Sequence, residues 1–410
     1  MARSVPLVLA LAALLLDADA RSALAQLALP DDLALIQPAA DVPAEAAAFA
    51  GAWGDGAWDG SFPHALVVER IEADGSAQIV LAGGAGDQPA LEPGWRRWPA
   101  RIAKGRLSVV ADGAVSEYEL AQDGTLLGRR TLIDGWRSYV HLMRVAAARP
   151  AEIAVRLLEP APRLWQELRI PVTSAVGTVS GKTFLLQTTL YPSPMPGRRP
   201  LVILNHGTQE AGTRHARRFE EQARVFLALG YSVAAPMRKG HAESEGPLLE
   251  ASVLPEEVQL GSALEDLDAV VGYLANAPAV DPQRIILAGQ DRGGFLAIAY
   301  ASRHPSRIAA VVNFSGLWRS EHLNDGFNMD EFRKAGRTMS VPSLWLYADN
   351  DARYPLKAVR TDFAAFRAAG GAGRLVEMHG IAGDGHALFT WVESWRELVS
   401  EELKRVIAML

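Results

Sequence analysis

Two patterns of apolar and polar positions divide the chain near residue 160. Downstream, short apolar runs alternate with longer stretches of helical spacing. Leu201–Leu204, Tyr231–Ala235, Arg284–Ala288, Ile308–Phe314, Ser343–Ala348 and Leu375–Met378 read as buried strands. His215–Leu229, Glu256–Ala275, Leu356–Ala369 and Phe389–Met409 have amphipathic helical spacing. Buried strands separated by helices predict an α/β architecture, a mostly parallel twisted sheet covered by helices. Upstream, from about Glu45 to Val145, the runs are shorter and alternate. Ala65–Ile71 and Ala77–Leu81 flank Ala73-Asp74-Gly75-Ser76, a hairpin by its Asp-Gly turn. Further strands are expected at Gly105–Ala111, Val115–Leu120, Thr125–Arg130 and Tyr139–Val145, separated by Asp-Gly pairs at 112, 123 and 134. This spacing predicts a small all-β barrel or sandwich over 45–148. A stiff linker over 149–164, with Glu159-Pro160-Ala161-Pro162, joins it to a larger domain over 165–410.

The chemistry concentrates at Gly289-Gln290-Asp291-Arg292-Gly293-Gly294. A strand leads in and the helical run Phe295–Tyr300 leads out, the context of a nucleophile elbow. The flanking glycines suit a turn too tight for a Cβ. An acid and a histidine should follow in that order on later loops. Asp349-Asn350-Asp351 ends the strand Ser343–Ala348, and His386 stands in the loop after Leu375–Met378. Upstream, Leu201–Leu204 runs through Asn205 into His206-Gly207-Thr208, where a second oxyanion-hole N–H is expected.

These four motifs, in this order, resemble the α/β-hydrolase superfamily over residues 165–410, in particular its dienelactone-hydrolase-like and esterase-peptidase-like branches. The resemblance puts Asp291 in the nucleophile place, Asp351 as the acid and His386 as the base. The N–H groups of Arg292 and of Gly207 or Thr208 would form the oxyanion hole. Asp349 is a rival acid, but the family pattern places the acid just before x-x-x-Pro, which selects Asp351. His379 is a rival base that sits at a strand end. His206, Arg238 and Trp318 are candidates for shaping the pocket; bracing of the oxyanion turn is the ordinary role at the His206 position. The implied partner is a small-molecule substrate, and the implied activity is hydrolysis of small carboxylic esters or lactones.

Aspartate at the apex changes that expectation. If a carboxylate attacks an acyl carbon, the tetrahedral intermediate can expel either the alkoxide or the attacking carboxylate. The carboxylate, with a pKa of about 4, is much the weaker base and leaves. Attack therefore reverses. An aspartate nucleophile works at saturated carbon, as in the haloalkane dehalogenase, haloacetate dehalogenase and epoxide hydrolase branches. Asp291-Arg292-Gly293 resembles the haloacetate dehalogenase motif, but the second arginine of that motif corresponds here to Phe295. Only residues 315–341 separate two successive strands, enough for one helix near Met329–Lys334 and not for a lid domain. Alternatives are therefore C–halogen or epoxide hydrolysis through an alkyl-enzyme ester, and a non-catalytic binding protein.

The chain has 410 residues, no cysteine and a formal charge of −6. Mild acidity without a basic run argues against a nucleic-acid partner. Neither a His-Glu-x-x-His motif nor a clustered His/Asp set occurs, so no metal and no cofactor are expected. Gly177–Thr183 looks like a phosphate loop but has three residues between its glycines where four are needed. Arg3 followed by Val5–Leu16, with small residues near Ala25, reads as a signal peptide over 1–25. That predicts export to a periplasmic or extracellular space, with no membrane segment after cleavage. Oligomeric state has no signature in the sequence.

Overall fold

A computed structural model describes residues 29–83, 94–146, 163–176, 179–209, 215–251, 254–318 and 326–407. The expected signal peptide and nearly all of the expected linker lie outside these residues. The chain divides into two units, Met1–Arg130 with Tyr139–Pro162, and Thr131–Ser138 with Arg163–Leu410.

The first unit is built on a closed barrel, β1 (Gly51–Trp58), β2 (Phe62–Ile71), β3 (Ser76–Gly83), β4 (Gly94–Ala103), β5 (Arg106–Ala111), β6 (Ala114–Leu120), β7 (Leu126–Leu132) and β8 (Arg137–Val145). Closure comes from antiparallel pairing of β1 with β8, and it removes the exposed sheet edges. Alternation turns Leu66, Val68, Ile79, Leu107, Tyr118, Leu126 and Val140 into one apolar core. His64 and Tyr118 bond each other inside it at 2.9 Å. The first turn of the barrel is a short helix, α1 (Ala44–Ala47), before β1. Two strands escaped the sequence pattern. In β1 the Gly-Ala-Trp repeats interrupt alternation, and a bulge lies between Trp53 and Gly56. In β4 the run Trp95-Arg96-Arg97-Trp98-Pro99 reads as polar, although its backbone pairs along β3.

The second unit carries an eight-stranded sheet in the order β9 (Gln166–Thr173), β10 (Thr183–Tyr191), β12 (Ser232–Pro236), β11 (Arg199–Asn205), β13 (Val280–Gln290), β14 (Ala310–Phe314), β15 (Ser343–Ala348), β16 (Gly373–Met378). The strands from β12 to β16 are parallel; β9 and β10 extend the sheet antiparallel. The helices are α2 (Glu220–Ala228), α3 (Glu256–Ala275), α4 (Arg292–Arg303), α5 (Phe327–Thr338), α6 (Leu356–Ala368) and α7 (Val392–Ile407). Among the described residues between β14 and β15, α5 is the one helix, as the short spacing requires.

What positions the site is the strand order. The chain reverses direction of travel across the sheet around β11 and β13, so the carboxyl ends of these neighbours open into one crevice. In the core of this unit Phe295 packs on Trp318, Phe327 and Phe332, and Phe332 packs on Trp345.

Candidate active site

Asp291 sits between β13 and α4 with φ 54 and ψ −128, a strained conformation for a residue with a side chain. Its neighbours leave no alternative. A Cβ on Gly289 would lie 2.4 Å from Gly293, and one on Gly293 would lie 2.1 Å from the Asn205 carbonyl oxygen. The close approach of β13, α4 and β11 thus holds the apex upright.

The Asp291 carboxylate is divided between two partners. Oδ2 accepts the Thr208 N–H at 2.8 Å. Oδ1 stands 3.7 Å from Nε2 of His386. His386 Nδ1 meets Asp351 at 3.0 Å to Oδ2 and 3.2 Å to Oδ1. Asp351 Oδ1 is itself held by the N–H groups of Arg353 and Tyr354 at 2.9 and 2.8 Å. Two further ties set the histidine loop. Gln290 Nε2 donates to the His386 carbonyl at 3.1 Å, and Asp384 accepts the N–H groups of His386 and Ala352, each at 3.0 Å. The rivals lie elsewhere: His379 and Asp349 pair with each other at 2.7 Å on the exposed surface.

Burial alone would drive the His386 pKa down, but the nearby Asp291 carboxylate and the charge and hydrogen bond of Asp351 win and raise it to about 9. Burial would raise the Asp291 carboxyl, yet His386 and the Thr208 N–H hold it below the usual value. At neutral pH the site therefore contains an imidazolium beside carboxylate. Because the folded histidine titrates above its ordinary 6.5, its stabilisation is complete below pH 6.5 and is lost as pH rises through about 9. The shift corresponds to at most about 3 kcal/mol. Thermal unfolding from pH 6 to 10 should show this decline, and Asp291→Asn should flatten it. An equal decline in both proteins would assign it to other groups.

The remaining candidates divide sharply. Gly207 packs against Asp291, where a Cβ would come within 2.9 Å of the aspartate Cβ. Arg292 is buried, donating from Nη1 to the Glu250 carbonyl at 2.6 Å, with its guanidinium 5.3 Å from the Trp318 ring centre. Trp318 is a buried core residue. His206 is buried too; its Nδ1–H donates to the Gly207 carbonyl at 2.8 Å, and its Nε2 accepts the Arg238 N–H at 3.2 Å. Arg238 corrects the expectation of a pocket residue. It is 3% exposed and its guanidinium is consumed by Glu250 and by the carbonyls of His206 and Gly207. Glu250 itself gave no signal in the sequence, because its role depends on contacts with residues 12 and 42 positions away.

Comparison with known proteins finds partial similarities. The family model of serine aminopeptidase S33 matches residues 197–340. Monoacylglycerol lipase of Mycolicibacterium smegmatis is 35% identical over 120 residues, covering 29% of this chain and 39% of the lipase. Human monoglyceride lipase is 29% identical over 127 residues, covering 31% of this chain and 38% of its own length. The matches thus span about two fifths of these relatives. Among solved structures, the Pyrococcus furiosus esterase PF2001 aligns at 18% identity with a TM-score of 0.44, over 59% of this chain and 91% of that one. The family match and the lipase relatives support an α/β-hydrolase superfamily member.

Proposed function

We propose that this protein hydrolyses small carboxylic esters or lactones through Asp291, breaking the bond between oxygen and the saturated carbon. The observation that carries this is the placement of Oδ2 on the Thr208 N–H, with Oδ1 turned toward His386. In the first step Oδ1 attacks the alkyl carbon, and the C–O electron pair departs with the substrate's carboxylate. That leaving group is as weak a base as Asp291 itself, so the alkyl ester can form, and departure of the carboxylate followed by hydrolysis of the ester draws the step forward. In the second step His386 takes a proton from water, and the hydroxide adds to Cγ of Asp291. Negative charge then develops on Oδ2, already at the N–H of Thr208. Collapse expels the alcohol oxygen, which takes the proton back from His386, and the Asp291 carboxyl releases the remaining water proton to solvent, restoring the carboxylate.

Esterification also times the base. An alkylated Asp291 has lost its charge, which removes one of the two influences that raise the histidine pKa. His386 then moves toward the neutral range and becomes competent to deprotonate water. The C–halogen alternative has less support, because Arg292 is tied to Glu250 and Phe295 is buried in the core. Export, read from residues 1–25, is part of the same proposal.

A single turnover in ¹⁸O-water, with enzyme in excess over a short-chain ester or strained lactone, tests the bond broken. The label should enter Asp291 and leave the product's carboxylate unlabelled, as peptide and product mass spectra would read. Label in the product carboxylate alone would mean direct acyl hydrolysis. Ligand binding without turnover would instead favour the non-catalytic reading.

A further inference from the structure

We propose that Arg238 and Glu250 are positioning residues that keep the Gly207–Thr208 peptide turned with its N–H toward Asp291. The inference rests on the reading of that N–H as an oxyanion donor. A trans peptide is planar, so the Gly207 carbonyl and the Thr208 N–H point in opposite directions. Whatever holds the carbonyl also aims the N–H. Glycine at position 207 lets this plane rotate with little steric resistance, so the orientation must be imposed from outside.

The carbonyl side of the turn is fully engaged. Arg238 Nη1 donates to the His206 carbonyl at 2.7 Å and Nη2 reaches the Gly207 carbonyl at 3.3 Å. His206 Nδ1 supplies a second donor to the Gly207 oxygen at 2.8 Å, and that ring is held in turn by the Arg238 backbone N–H. A cation facing two successive carbonyls strongly disfavours a flip that would present the Gly207 oxygen to Asp291 instead.

Glu250, in the short helical turn Leu249–Ala251, completes the device. Its carboxylate takes Nε and Nη2 of Arg238, and His241 Nε2 lies 3.6 Å away. Its backbone carbonyl takes the Arg292 guanidinium. One residue thereby ties the oxyanion turn to the residue that follows Asp291. Stability alone does not call for this cluster, since buried ion pairs are often replaceable by apolar groups without loss. Lysine cannot substitute, because a point charge does not match four acceptors in a plane.

Full-length protein labelled with ¹⁵N-threonine, carrying Arg238→Lys or Glu250→Gln, decides the matter. The Thr208 amide proton, assigned by its loss in Thr208→Ser, should be far downfield in the parent and lose that shift in both variants. In an Asp291→Ser background, kcat for an activated ester should fall roughly tenfold to a hundredfold with KM changed less than about twofold, within the range for a weakened oxyanion donor. A Thr208 amide unmoved in either folded variant overturns the proposal, and so does a moved amide with unchanged kcat. If Arg238→Lys does not fold, Glu250→Gln still reads the same amide. If Asp291→Ser lacks esterase activity, the proposed function fails, while the amide shift still decides the positioning role.

Discussion

Replacing His386 by glutamine is expected to stop the reaction at a covalent ester on Asp291. Attack at saturated carbon needs no proton transfer from the histidine, because the nucleophile is already ionised. Water attack on Cγ does need a base, and general-base catalysis contributes about 10²–10⁴-fold. The variant should therefore release one equivalent of carboxylate per site and then slow by roughly that factor. Glutamine retains a side-chain N–H that can reach Asp351, so the loop tied through Gln290 and Asp384 keeps its support. Intact-mass measurement would show the adduct, and proteolysis would place it on the peptide containing Asp291. An unmodified protein that still turns substrate over would exclude the covalent route.

Converting Asp291 to serine should produce the opposite kind of change, a gain of ordinary ester hydrolysis. Three effects act together. Removing Oδ2 frees the Thr208 N–H for a substrate carbonyl oxygen. Removing the carboxylate lowers the histidine pKa from about 9 toward neutrality, so a neutral base is available at pH 7. The serine oxygen makes an acyl-enzyme in which the alcohol, and not the attacking group, departs. The oxyanion hole alone is worth about 10²–10³-fold per donor. Turnover of an activated short-chain ester should rise by about 10³-fold or more over the aspartate protein. If serine adds nothing and the parent already acts on the ester, the leaving-group argument is wrong and Asp291 is not the nucleophile.

Both outcomes follow from residues that local sequence made visible. Gly289 and Gly293 announced a turn with no room for a Cβ, and the contacts at 2.4 and 2.1 Å give the reason. The acid and histidine positions could be named because each ends or follows an apolar run, and structure brings Asp351 and His386 together at 3.0 Å. The choice of Asp351 over Asp349 came from the family's pattern. In space the rejected pair, Asp349 and His379, satisfy each other at the surface.

Local pattern was less informative wherever backbone pairing or distant charge supplied the stabilisation. β1 and β4 lack clean alternation, yet they hydrogen-bond along β2, β8 and β3, and those ladders do not depend on side-chain type. In the sequence Arg238 was a candidate for shaping the pocket. In the fold its guanidinium lies beneath the oxyanion turn because β12 ends beside β11, and Lys239 is buried on Asp266.

The order of apolar runs was therefore enough to define the α/β sheet, the elbow and the candidate site residues, since each depends on neighbours a few positions apart. Where the Asp291 carboxylate points, the charge state of His386 and the task of Arg238 depend on groups tens of residues away. Those properties came into being when β11, β12, β13 and the loop after β16 converged, because hydrogen bonds and electrostatic shifts act across angstroms of space and not along the chain.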